Sequence, residues 1–305
     1  MRDISRFRGW LLAATVLLNS WSAAGAPAQA TDPLFIGWSQ LLPAWAYQFT
    51  PGSANACAAG RPACVERTLT TMKHRFWPLA GSCDHNAVFA LAYLRTTQEY
   101  RRTAADPAAF DDVAFVNHED AVFAQFYFDS YDSWATGHRA AVPTAWRIAF
   151  DAARNQRVTG TGNLLLGMSA HVNRDLPFVL AGIGLVAPDG TSRKPDHDRI
   201  NAMLNRVVGP LLAEEAQRFD PTVDDVDTPY GISYTALMQL LVGWRETAWR
   251  NAERLVAAEG TRARNRVEAS IEAYATGIAR TLVQTYQYAP PLYTAASRNA
   301  YCARP

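Results

Sequence analysis

The residues best suited to chemistry lie in the apolar stretch Asn163–Pro177, which a few polar side chains interrupt. His171 and Asp175 are four positions apart, so a helix would stack them on one face about one turn apart. An imidazole beside a carboxylate can act as a general base that the carboxylate orients, or the two can ligate a metal together. Burying such groups is costly unless they find partners. The stretch therefore predicts one of two arrangements. Its polar side chains either form a catalytic or ligand-binding site, or they hydrogen-bond to one another in a buried structural network.

Arg245, Trp249 and Asn173 are the candidate substrate-binding residues. Arg245 and Trp249 share a helix face, and a guanidinium backed by an indole ring can clamp a carboxylate or a phosphate. The amide of Asn173 would hold a substrate or ligand beside the His171 imidazole. The alternative for Arg245 is a structural ion pair with Asp175 inside a helical bundle.

A metal ion would need one or two more ligands than His171 and Asp175 supply. The candidates near predicted, exposed helix starts are His118, Glu119, Asp120 and His197. Acids at such positions also stabilise the helix N-terminus, so their presence there has a second explanation. The remaining histidines, His74, His85 and His138, are expected at the surface or in loops. These residues are equally compatible with one bound divalent metal ion, such as zinc, and with no metal at all.

The chain begins with the parts of a secretory signal peptide. A basic segment, residues 1–8, precedes a short apolar run that ends at Leu18, and Ala28-Gln-Ala30 supplies a cleavage motif. The apolar run is shorter than the roughly 20 residues of a membrane span. We therefore expect a signal peptide over residues 1–30 and a secreted or periplasmic chain without a transmembrane domain. A retained N-terminal anchor is the alternative.

The four cysteines fit an exported chain, in which disulfides persist. Of the three possible connectivities we favour Cys57–Cys64, because the intervening residues are loop-like and can close a small ring. The other disulfide would then be Cys83–Cys302, which ties the C-terminal tail to the body. A cysteine metal site is not expected, since no C-x-x-C pair is present.

Apolar residues recur with helical spacing along most of the chain, and no stretch shows the alternation of a strand. The sequence therefore predicts an all-α fold of roughly eight to ten helices. We expect a single domain over residues 31–305, with interruptions at Gly209-Pro210 and a polar tail after Pro291. Pro177 should kink the helix that carries His171. The net charge of +1 argues against non-specific nucleic-acid binding.

Several segments resemble the domain-of-unknown-function 5995 family, and the resemblance covers about residues 65–260. The segments are Trp146–Ala153, Leu164–Pro177, Asp196–Asn201 and Arg245–Ala252. The resemblance implies a helical domain whose signature is Ala-His-x-Asn-x-Asp-Leu, which His171, Asn173 and Asp175 match. It implies no reaction.

Three interpretations of the candidate site follow. The first is metal-assisted or general-base hydrolysis of an unknown small molecule, which requires His171, Asp175 and a third acid or histidine around a cavity. The second is a non-catalytic module that binds a small or lipidic molecule in an apolar pocket with few titratable groups. The third is a helical scaffold, in which an arginine pairs with Asp175 and no cavity reaches the pair. The absence of G-x-S-x-G and phosphate-loop motifs disfavours seryl hydrolases and nucleotide-dependent enzymes.

Overall fold

A computed structural model describes residues 48–223 and 232–304, so the expected signal peptide lies outside the described residues. Within these ranges the chain forms helices and two isolated β-bridges, Val158 with Gln287 and Val186 with Ser192, without any strand. The all-α prediction is therefore confirmed. None of the helices in these ranges is apolar over a length that would cross a bilayer.

Connections of ten residues or fewer join most of the successive helices. In chain order the α-helices are α1 Pro62–Gly81, α2 Ala87–Ala104, α3 Val113–Ala135, α4 Thr144–Arg154, α5 Gly160–Ser169, α6 Leu176–Ile183, α7 Lys194–Arg218, α8 Ile232–Val256, α9 Gly260–Thr285 and α10 Ala295–Cys302. A π-helical turn, Ala170–Asp175, joins α5 to α6.

The π-helical turn lies where the sequence predicts a kink. Pro177 has no N–H to donate, so the regular hydrogen-bond ladder cannot pass through it. The chain responds with a wider turn directly before the proline and continues as α6. Such turns are rare in proteins, but many of those that do occur lie at functional sites. Here the turn contains both His171 and Asp175.

Helix α7 is continuous from Lys194 to Arg218, although the sequence predicts an interruption at Gly209-Pro210. The aliphatic residues on both sides of the proline are buried against the rest of the molecule: Val207, Val208, Leu211 and Leu212. This packing outweighs the single hydrogen bond that Pro210 cannot make. As a result, one unbroken apolar face of α7 is available to line a cavity.

The segment after Pro291 forms a helix, α10, in place of the predicted polar tail. A capping box between Thr294 and Ser297 begins this helix. Its Arg298 side chain is buried, and Nη1 donates a hydrogen bond to Asn163 Oδ1 at 2.7 Å. His85, expected at the surface, is buried beside it, with Nδ1 3.1 Å from the guanidinium. A buried arginine with side-chain acceptors thus fixes the C-terminal segment to the body.

Both predicted disulfides are present. The Cα atoms of Cys57 and Cys64 are 4.9 Å apart, and those of Cys83 and Cys302 are 6.0 Å apart. The first closes a small loop before α1. The second links the end of α10 to the segment between α1 and α2.

The two disulfides should contribute unequally to stability, because they span 219 and 7 positions of sequence. Removing the long cross-link in Cys83→Ser/Cys302→Ser restores more conformational entropy to the unfolded chain than removing the short one in Cys57→Ser/Cys64→Ser. We expect the first double variant to lose about 3 kcal/mol more in the free energy of unfolding than the second. Urea unfolding followed by circular dichroism measures this difference. An equal loss, or a larger loss for the short loop, would contradict the expectation.

Candidate functional site

Helices α2, α3, α5, α6, α7 and α8 surround a cavity of about 140 Å³. Most of its wall is aliphatic, with contributions from Leu164, Leu176, Val207, Val208, Leu211 and Leu241. An engineered apolar cavity of about 150 Å³ in another protein binds benzene. The cavity therefore has room for a single ring or a short alkyl chain.

His171 lines this cavity and forms a pair with Asp175. Its Nδ1 lies 3.1 Å from Asp175 Oδ2. The fully buried Asp175 carboxylate also accepts hydrogen bonds from Trp146 Nε1 at 2.7 Å and from Arg174 Nη1 at 3.0 Å. Because the carboxylate accepts, we assign the proton to Nδ1 of the neutral ring, which makes Nε2 the acceptor. No group in the described part of the chain donates to that Nε2 atom.

Aromatic rings fix the orientation of the His171 imidazole. Phe123 stacks on it with 3.5 Å between ring centroids and 3° between the planes. Tyr93 approaches edge-on, with 4.6 Å between centroids. Burial among these rings lowers the pKa of His171, and the hydrogen bond to Asp175 opposes that shift. The ring is therefore neutral at neutral pH.

Two adjacent acids on α3, Glu119 and Asp120, line the same cavity. Both residues are half-buried. Burial raises the pKa of Glu119 to about 7, which Arg245 opposes. Burial also raises the pKa of Asp120 to about 7, and the neighbouring Glu119 adds to that shift. Over the described ranges, Asp120 Oδ2 and the buried Tyr93 hydroxyl have no hydrogen-bond partner.

Arg245 also lines the cavity but does not pair with Asp175, so that alternative is wrong. Arg174 takes the position beside the Asp175 carboxylate, and its Nε donates to Glu272 on α9. The Arg245 guanidinium points to the start of α7 instead. There, Nε donates to Asn201 Oδ1 at 2.8 Å and Nη2 donates to the His197 carbonyl at 2.6 Å. Burial lowers the pKa of Arg245 to about 10, which leaves it charged at neutral pH.

The structure does not bring Trp249 or Asn173 to the cavity. Trp249 Nε1 donates to Glu253 on its own helix at 2.8 Å, and the indole packs near His197. The Asn173 amide donates to Ser169 Oγ at 3.1 Å. Both are buried. Their positions indicate structural roles within and between helices.

The candidate metal ligands do not form one cluster. His118 is fully buried rather than at an exposed helix start, and its Nδ1 lies 2.9 Å from the Cys57 carbonyl oxygen. His197 is also buried, with Nε2 3.3 Å from the Arg245 carbonyl oxygen. Across residues 48–223 and 232–304, no three His, Cys, Asp or Glu side chains are placed to hold a metal ion. His171, Glu119 and Asp120 line one cavity without forming such a cluster.

No sequence pattern distinguishes Tyr93, which lines this cavity and whose buried hydroxyl has no partner among the described residues. Within α2 it has the spacing of a core residue. The apolar face of α7 is likewise indistinguishable from ordinary core by spacing alone. Their placement around a cavity depends on how the helices pack.

The chain is therefore an all-helical protein with an internal cavity that carries a histidine–aspartate pair and two acids at its wall. It belongs to the family of unknown function DUF5995, whose sequence profile matches residues 65–285. This match confirms the resemblance and extends into α9. Neither a curated protein nor a solved structure matches the chain.

The raised pKa of Asp120 predicts a pH-dependent stability. Burial raises the pKa of this carboxyl in the folded chain to about 7, compared with its ordinary pKa of 3.8. The native state therefore binds more protons than the unfolded state between these values, so the contribution of Asp120 to the free energy of unfolding falls as pH rises. Asp120→Asn, which stays neutral, should become progressively more stable relative to the wild type from pH 4 to pH 7.

Urea unfolding of both proteins at a series of pH values measures this difference. Asp106→Asn, at an exposed position after α2, is the matched control. A stability difference between wild type and Asp120→Asn that stays constant with pH, or that changes in the opposite direction, would contradict the expectation.

Proposed function

We propose that this protein binds a small amphipathic molecule in the cavity between α2, α3, α7 and α8. The ligand's apolar part would lie against the aliphatic wall that α7 and α8 provide. Its polar group would face His171, Tyr93 and Asp120. The observation that carries the proposal is that three residues lining one largely apolar cavity each carry a buried polar atom without a hydrogen-bond partner among the described residues.

Unpartnered polar atoms in a protein interior are uncommon, because each costs about 1–3 kcal/mol when its hydrogen bond is not made. His171 is 3% exposed and Tyr93 is 7% exposed, so bulk water does not satisfy these two side chains readily. Their concentration at one cavity is explained if a ligand supplies the missing hydrogen bonds. A scaffold role explains the contacts of Asp175. It does not explain the cavity or the unpartnered polar atoms of His171, Tyr93 and Asp120.

We also propose that the protein works outside the cytoplasm. Its two disulfides suit an oxidising compartment. The N-terminal sequence, with its basic start, apolar run and Ala28-Gln-Ala30, supports export through a cleaved signal peptide.

Benzyl alcohol is a suitable first probe, because its ring fits the cavity and its hydroxyl can both donate and accept. We expect titration calorimetry to show one site per chain. Ala92 lines the cavity and is buried, so Ala92→Leu should fill part of the space and abolish binding. Ala273→Leu, at an exposed position on α9, should bind as the wild type does. Failure of the wild type to bind benzyl alcohol, benzylammonium or benzoate, or unchanged binding by Ala92→Leu, would refute the proposal.

The His171–Asp175 pair favours a second candidate function, general-base hydrolysis of an ester held in the cavity. Water would lose a proton to His171 Nε2 while its oxygen bonds to the ester carbonyl carbon. The tetrahedral intermediate would then collapse with cleavage of the carbon–oxygen bond, and the leaving alcohol would take the proton from the imidazolium. Asp175 would hold the ring in the required tautomer and stabilise its charged form.

Phenyl acetate tests this second candidate. If His171 is the base, His171→Gln should lower kcat/KM by about 10²-fold or more, while circular dichroism shows an unchanged fold. The exposed substitution His74→Gln serves as the control. A protein that binds benzyl alcohol but does not hydrolyse phenyl acetate, or whose hydrolysis survives in His171→Gln, would exclude hydrolysis of such esters by His171 and leave the binding proposal in place.

A further inference from the structure

We infer that the polar group of the ligand is a primary ammonium, so that the cavity selects a small aryl or alkyl amine over the corresponding alcohol or carboxylate. This inference rests on the proposed binding function and assigns its chemical class. Two observations support it: the residues that line the cavity carry unpartnered hydrogen-bond acceptors, and the charge of Asp120 has no cation beside it among the described residues.

The unpartnered atoms are all able to accept hydrogen bonds. His171 Nε2 is an acceptor because Nδ1 is held by Asp175. Asp120 Oδ2 accepts when the carboxyl is ionised, and the Tyr93 oxygen accepts in addition to donating. A primary ammonium has three N–H donors and no lone pair. Its donor set therefore matches the three acceptors that this cavity presents.

The charge around the cavity also favours a cation. Arg245 and Glu119 act on each other electrostatically, so the charge of one offsets the other. Asp120 has no such compensation: its surroundings and Glu119 both disfavour its charged form, and no cation in the described part of the chain opposes them. A buried carboxylate is stable when it has an opposite charge beside it. A bound ammonium would supply that charge.

A carboxylate ligand does not fit these groups. It would approach Asp120, Glu119 and the lone pair of His171, all of which repel it. Arg245 is the cation that could attract it, but two of its guanidinium nitrogens already donate to Asn201 and to the His197 carbonyl. An alcohol can donate a single hydrogen bond, so it would leave acceptors unmatched.

The aromatic wall adds a further preference for positive charge. Phe89 and Tyr93 line the cavity together, with 5.9 Å between their ring centroids. The faces of such rings carry partial negative charge and attract ammonium groups. His171 covers one face of Phe123, and Phe89, Tyr93 and Tyr100 are further rings in the lining of the cavity.

Three ligands of nearly equal size test the inference: benzylammonium, benzyl alcohol and benzoate, titrated into the protein at pH 8. We expect benzylammonium to bind at least tenfold more tightly than benzyl alcohol, and benzoate to bind most weakly. Asp120→Asn should weaken the binding of benzylammonium at least tenfold more than that of benzyl alcohol, which removes the advantage of the amine. Asp129→Asn, at an exposed position on the same helix, should change neither affinity.

The outcomes separate this inference from the binding function on which it rests. If benzyl alcohol binds and benzylammonium binds no more tightly, the amine assignment is overturned and the binding proposal stands. If none of the three ligands binds, the binding proposal itself fails. Should Asp120→Asn not fold, Tyr93→Phe gives the same test, because it removes one acceptor and should weaken benzylammonium more than benzyl alcohol. Equal effects on both ligands would overturn the assignment.

Discussion

The rest of the site depends on the fully buried carboxylate of Asp175. An isolated charge at this depth would be strongly destabilising, so its oxygens must accept hydrogen bonds from neighbouring elements. Trp146 of α4, Arg174 and His171 supply those bonds. Arg174 in turn pairs with Glu272 of α9. One carboxylate therefore links several helices and sets the tautomer of the imidazole beside it.

The hydrogen-bonding property of the cavity lining depends on this buried carboxylate. Because Asp175 holds Nδ1 of His171, which lines the cavity, the ring has Nε2 as an acceptor without a partner among the described residues. The stacked Phe123 and the edge-on Tyr93 keep the imidazole in this orientation. Asp120 adds a carboxyl group that lacks a cationic neighbour among the described residues. An otherwise apolar cavity thus has one region that accepts hydrogen bonds, which is the arrangement expected for recognition of a donor group.

Local patterns in the sequence were sufficient to predict most of the helices, both disulfides and the proximity of His171 and Asp175. They failed where long-range packing decides the outcome. Arg174, and not Arg245, pairs with Asp175, because only the three-dimensional course of α8 turns Arg245 toward Asn201. His118 is buried against the loop before α1, which a helix-start position does not reveal. From the sequence, Glu119 and Asp120 could equally be surface acids. Only the packing of the helices places them in the lining of the cavity.

The most direct test of this account is the ¹⁵N NMR spectrum of His171 at neutral pH, with and without benzyl alcohol, assigned by comparison with His171→Gln. We predict a neutral ring with the proton on Nδ1, and a change in the Nε2 resonance when the ligand's hydroxyl donates to it. A proton on Nε2, or an Nε2 resonance that is unchanged at saturating ligand, would contradict the claim that this atom is the open acceptor of a ligand cavity.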